Sequence, residues 1–184
     1  TPTPLGVADK VRQVARALQV ADRGAALADQ LDRQFDRLQA RLADLDTRPR
    51  VLLLLAVGRG TPMAAGRDTA ADGIIELAHG YNAIDAFSDY KPLSREAVVA
   101  AAPDVLLTTE RTVERFGGRA ELLARPERAT TTAGRAGRLV VMDGLLLLGF
   151  GPRTPQAAAQ LAEQLHGSLD LPDLSEASVD DRDG

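Results

Sequence analysis

Residues 51–57 read VLLLLAV, a continuous aliphatic run with Pro49 before it and Gly58 after it. It is far shorter than the roughly 20 residues a membrane-spanning helix needs, and it lacks the one-sided spacing of an amphipathic helix. The element that suits it is a parallel strand covered on both faces. Downstream the chain turns through the glycine-rich, basic stretch GRGTPMAAGRD. Thr69 then stands as a helix cap with Asp72 three residues on, opening a helix over about 70–79. The same rhythm repeats. Ser94 caps REAVVAAA, which stops before Pro103, and DVLLTT (104–109) is the next strand. RTVERFGGRAELLARPE reads as two short helices split at Gly117 and Gly118, and RLVVMDG (138–144) as a third strand. Pro155 at a first helical position opens a last helix with Ala158, Leu161, Ala162 and Leu165 on one face. Strands alternating with helices predict an α/β fold built on a parallel sheet.

The first fifty residues have a different character. Leu27, Leu31, Phe35, Leu38, Leu42 and Leu45 recur at steps of three and four, which predicts a helix of roughly six or seven turns with one apolar side. A shorter helix precedes it with Val7, Val11, Val14 and Leu18 on one face, and Gly24 between the two weakens their continuity. Pro49 closes the region. A coiled coil is the alternative for 27–45, over too few heptads to be preferred. After Gly167 the chain turns acidic, with Asp170, Asp173, Glu176, Asp180, Asp181 and Asp183 against Arg182, and reads as a flexible tail. The expected division is a helical segment at 1–46, an α/β lobe at 47–167 and the tail at 168–184.

Composition excludes several function classes. A net charge of -4 with no basic stripe argues against a nucleic-acid partner. There is no cysteine, and His79 and His166 stand alone at helix ends, where a histidine meets terminal carbonyls, so no protein-ligated metal is expected. The start TPTPLGVADK has no signal-peptide pattern. Catalytic motifs are missing, and Asp72 and Asp104 read as a capping group and a strand-start residue. One site stands out from the residues alone. The turn after the first strand, with Arg59, Arg67 and the first amides of the following helix, suits an anion. That keeps a small cytoplasmic α/β enzyme as one reading, against glycines that only permit a tight turn.

Four pieces carry a family resemblance: PMAAGRDTAAD, YKPLSREA, FGGRAELLARP and GFGPRT, in this order and spacing within residues 50–165. Together they resemble the carboxy-terminal half of the haem-binding proteins of bacterial ABC haemin importers. YKPLSREA is similar to the wider class III group for siderophores and cobalamin, which leaves those ligands as alternatives. The resemblance implies two α/β lobes joined by a long rigid helix, here residues 22–46, with haem held between the lobes. It implies a periplasmic, non-enzymatic binding protein whose chain starts in mid-protein, its amino-terminal lobe missing. Arg59, Gly60, Thr61, Pro62, Met63 and Arg67 would then contact haem, the arginines pairing with propionates. This chain has neither the His nor the Tyr that many relatives place in that loop as an iron ligand. Met63 is at most a thioether candidate, and Tyr81 and Tyr90 read as packing or surface residues. Glu96 is the expected docking residue for arginines of the permease transmembrane subunits.

Overall fold

The computed structural model describes residues 4–56, 62–169 and 171, with side chains from residue 6 onward. Two helices open the chain, α1 (Pro4–Ala17) and α2 (Ala21–Leu42). The break between them is at Gln19, which takes a left-handed φ of 58°. Gly24 lies inside α2, not between the helices, and its role is a close approach. A Cβ added there would sit 2.0 Å from the Ala15 Cβ, so only glycine lets α1 lie so near α2. Arg12 ties the pair on its polar side, donating to Asp29 and Asp32 at 3.0 Å each. The apolar stripe read from the sequence faces inward, with Leu31, Phe35, Leu38 and Leu42 buried.

The sheet follows, with β1 (Arg50–Leu55), β2 (Met63–Ala65), β3 (Tyr81–Asn82), β4 (Tyr90–Pro92), β5 (Val105–Thr109) and β6 (Leu139–Met142). The strand order is β4-β2-β1-β5-β6, with β3 on β1. β1, β5 and β6 run parallel, as the aliphatic runs predict. β2 and β4 are antiparallel additions that the sequence did not announce. β1 shares its second edge between two partners: β3 pairs with Arg50 and Val51, and β2 with Leu54 and Leu55. All six strands therefore form one mixed, mostly parallel sheet, the α/β architecture expected from the sequence.

Alternate residues of each central strand face opposite layers. Val51, Leu53, Val105, Leu107, Val140 and Met142 meet α2, α3 (Ala70–Leu77), α9 (Gly144–Leu148) and α10 (Thr154–His166). Leu52, Leu54, Leu106 and Leu139 meet the other layer. That layer holds α4 (Arg95–Ala101), α6 (Arg119–Ala124), α7 (Pro126–Ala129) and α8 (Thr132–Arg135), with α5 (Glu110–Arg115) above it. Caps fall where the residue types put them. The hydroxyls of Thr69 and Ser94 accept from the amides of Asp72 and Ala97, both at 3.1 Å. Thr154 differs: it is the first residue of α10, and its hydroxyl donates back to the Gly151 carbonyl.

The histidines depart from the expected helix-end contact. His79 follows α3 at φ 57° and its Nε2 meets the Leu45 carbonyl, whereas His166 Nε2 meets the Ala78 carbonyl at the end of α3. Each reaches another segment rather than its own helix. No helix among the described residues is long and apolar enough to cross a membrane. The acidic stretch beyond Leu171 lies outside the described residues.

Candidate functional site

Three parallel strands end at one edge of the sheet, at Leu55, Thr109 and Met142, and the segments that leave them enclose a crevice of about 620 Å³. Its walls come from the end of β1 and the residue after it (Leu55, Ala56), from α5 (Glu110, Arg111, Arg115) and from α9 (Gly144, Leu145, Leu148). The carboxyl edge of such a sheet is where open α/β folds bind ligands. Local hydrogen bonds hold the walls in place. The Ala56 amide donates to the Thr112 hydroxyl at 3.1 Å, and Thr108 donates to the Leu54 carbonyl at 2.7 Å. Asp143 accepts from the Leu146 amide at 2.8 Å and so caps α9. A Cβ on Gly144 would stand 3.3 Å from Thr109, so the two walls meet closely at their base.

The crevice is mixed in character. Leu145 is 72% exposed, unusual for a large aliphatic side chain, and it lies in the crevice wall with Leu148. Arg111 and Arg115 line the same crevice, with Glu110 and Asp143. Apolar side chains and guanidinium groups in one crevice suit a ligand that has both an apolar body and carboxylate groups. Sequence reasoning did not single out these residues. The available signal was Gly144–Leu148, a second unbroken apolar run directly after a strand.

Of the expected contact loop, Arg59, Gly60 and Thr61 lie outside the described residues. Pro62 and Met63 are half-buried where the chain re-enters the sheet, with Met63 paired to Leu55 and Pro92. They stand at the same edge as the crevice. Arg67 does not: it is exposed and lies four residues further along, about 13 Å of extended chain from Met63. Its backbone pairs with Phe87 and Asp89. The start of α3 is also away from this edge, because β2 carries the chain back along β1 before the helix begins. It is already occupied. Asp72 sits there, 8% exposed, accepting from the Asp68 amide at 3.0 Å and the Asn82 side chain at 2.8 Å. A carboxylate of the protein thus stands beside the start of this helix, away from the crevice edge.

Glu96 is exposed in the first turn of α4, close to the Pro62 edge, since the Leu93 amide donates to the Pro62 carbonyl. Its carboxyl is held below the ordinary value, chiefly by its own backbone amide and then by the Ser94 hydroxyl. Tyr81 bonds Asp85 near the opposite end of β1, and Tyr90 lies on the outer strand β4. Among the described residues no group of three or more His, Cys, Asp or Glu forms a metal site.

A family model described as periplasmic binding protein matches residues 1–145. The chain belongs to the periplasmic binding protein family. These are non-enzymatic transport components, and this overturns the alternative of a small enzyme. Among solved structures, the periplasmic haem-binding protein RhuT from Roseiflexus sp. RS-1 is 39% identical with a TM-score of 0.84. The haem-binding protein BhuT, in complex with two haems, is 42% identical with a TM-score of 0.84. Both matches cover 89% of this chain and 63% of the other. The haem-binding protein HutB of Vibrio cholerae is 31% identical, with a TM-score of 0.79 over 90% of this chain and 65% of its own. A curated cobalamin-binding protein of Halobacterium salinarum is 27% identical over 169 residues, 89% of this chain and 44% of its length. The chain thus spans less than two thirds of these relatives.

Proposed function

We propose that this chain supplies one wall of a haem-binding cleft in an extracytoplasmic binding protein that delivers haem to an ABC importer without altering it. The observation that supports this most strongly is its 42% identity, across 89% of its length, to a binding protein solved with haem in place. The crevice at the sheet edge is the place for that cargo. Haem contact is assigned to Pro62 and Met63 at this sheet edge, and to Arg59, Gly60 and Thr61 before them in the sequence, where small residues let backbone approach a flat macrocycle and Met adapts to it. Leu145 and Leu148 supply the apolar wall of the crevice itself. Arg67 stands apart from this edge and is left out of the contact set.

The second wall comes from the part of the relatives' length that this chain does not span. A groove of about 780 Å³ between α1, α2 and the Phe150–Pro152 turn suits contact with that lobe. Val14 and Leu18 on its rim are 52% and 67% exposed. Glu96, held ionised at the exposed start of α4, is the residue for permease arginines. The deciding experiment is a haemin titration read at the Soret band, on this chain and on this chain joined to the amino-terminal lobe of a haem-binding relative. A saturable, shifted band in the joined protein is expected. No response from either, with binding of cobalamin or a ferric siderophore, replaces haem by the second reading, which the Halobacterium relative favours.

A further inference from the structure

Away from the crevice, a cavity of about 270 Å³ is lined by Arg95, Arg125 and Arg128, with Glu127, Phe116 and Pro62 beside them. Three arginines and one glutamate thus share one lining. Arg128 is the unusual member, since its side chain is 2% exposed and ranks among the largest fully buried side chains. A guanidinium carries five N–H donors. Here Nη1 donates to the Leu122 carbonyl at 2.9 Å, and Nη2 stands 3.7 Å from a Glu127 carboxylate oxygen, beyond hydrogen-bond reach. Nε has no partner. Burial pulls the group below its ordinary pKa, with Glu127 acting in the opposite sense. A buried cation with unmet donors is costly unless a counter-charge completes it.

The backbone that carries this arginine is held firmly. Its amide donates to the Arg125 carbonyl at 2.9 Å, and its carbonyl accepts from the Thr131 hydroxyl at 2.6 Å. A Cβ on Gly134 would fall 2.0 Å from that carbonyl oxygen, so α8 locks α7 from behind. The Phe116 ring steadies the guanidinium groups of Arg128 and Arg125 at 4.8 and 5.6 Å from its centroid. Stacking uses the face of a guanidinium and not its donor edge, and the unpartnered Nε on that edge of Arg128 is closed to water until the exposed Arg125 and Arg95 side chains part. The volume falls below the roughly 300–1,000 Å³ of pockets for drug-sized ligands, which suits a small anion.

We propose that this cavity binds a small oxyanion, a carboxylate or phosphate group, on the donor edge of Arg128, with Arg125 and Arg95 closing over it. The site stands independently of the haem reading, because it is argued from its own arginines. Sodium phosphate, and separately acetate, titrated into this chain at constant ionic strength tests it by calorimetry and by the arginine Nε–H resonances. Saturable phosphate binding with a shift of the Arg128 Nε–H signal is expected. Arg125→Gln and Arg95→Gln, at exposed positions that leave the fold intact, should each weaken it roughly tenfold, the size of one lost charge-assisted hydrogen bond. Phosphate should raise the Tm of the parent chain and not that of Arg128→Met. Haemin that displaces phosphate identifies the anion as a carboxylate of the cargo, and haemin that leaves it bound identifies a free anion. No saturable response to phosphate or acetate, or equal binding in all three variants, overturns the proposal whatever the Soret titration gives.

Discussion

At the scale of the residue, Thr69 does two jobs, accepting from the Asp72 amide and donating to the Gly66 carbonyl at 2.8 Å. Thr69→Ala removes both and should cost about 1 kcal/mol, as lost caps do, measured by urea unfolding. His166 gives a pH dependence of definite sign. Its folded pKa lies below the ordinary 6.5, chiefly through burial, with the charges of His79 and Arg138 acting in the same direction. The unfolded chain therefore takes up a proton that the folded chain refuses. This contribution to stability is full above about pH 6.5 and is lost as pH falls towards the folded value, then levels off. His166→Gln should flatten that part of the profile in unfolding measured from about pH 8 to pH 5. The caps at Thr69 and Ser94 were legible because a cap is a local bond, two or three residues long. The partners of the histidines were not, because Leu45 and Ala78 reach them only through the packing of α2, α3 and α10.

Elements were readable in proportion to their length. β1 and β5 declared themselves by unbroken aliphatic runs, and α2 by its stripe of buried leucines. β2 and β4, three residues each, are too short to show a period, and only their antiparallel pairing makes them strands. The small helices α7 and α8 were hidden for the same reason. Gly24 was misread because a glycine inside a helix looks like a break until its neighbour is known. The contact gives a test. Gly24→Ala should destabilise the α1–α2 pair by about 1–3 kcal/mol through overpacking, and Ala15→Gly added to it should recover most of the loss. Hydrogen exchange of the α1 amides reads both.

For the whole molecule, the edge of the sheet where the crevice lies was legible from the order of strands and helices. The wall formed by α9 was not, since an apolar run after a strand gives no sign that Leu145 stays uncovered. Leu145→Asp should weaken haemin binding by the protein completed with an amino-terminal lobe about tenfold or more. It should leave the Tm nearly unchanged, because that side chain contributes little burial when the ligand is absent. The position of β1 at the centre of the sheet has a kinetic side. Its long parallel partner, β5, begins some fifty residues later, as the bond between Arg50 and Asp104, 54 positions apart, records. Until that segment has been made and brought back, Leu54 and Leu55 have only the short β2, and β3 reaches only Arg50 and Val51. Contact order this high slows closure and leaves a sticky strand waiting. A growing chain stopped short of residue 109 would therefore expose that strand to chaperones and to other chains.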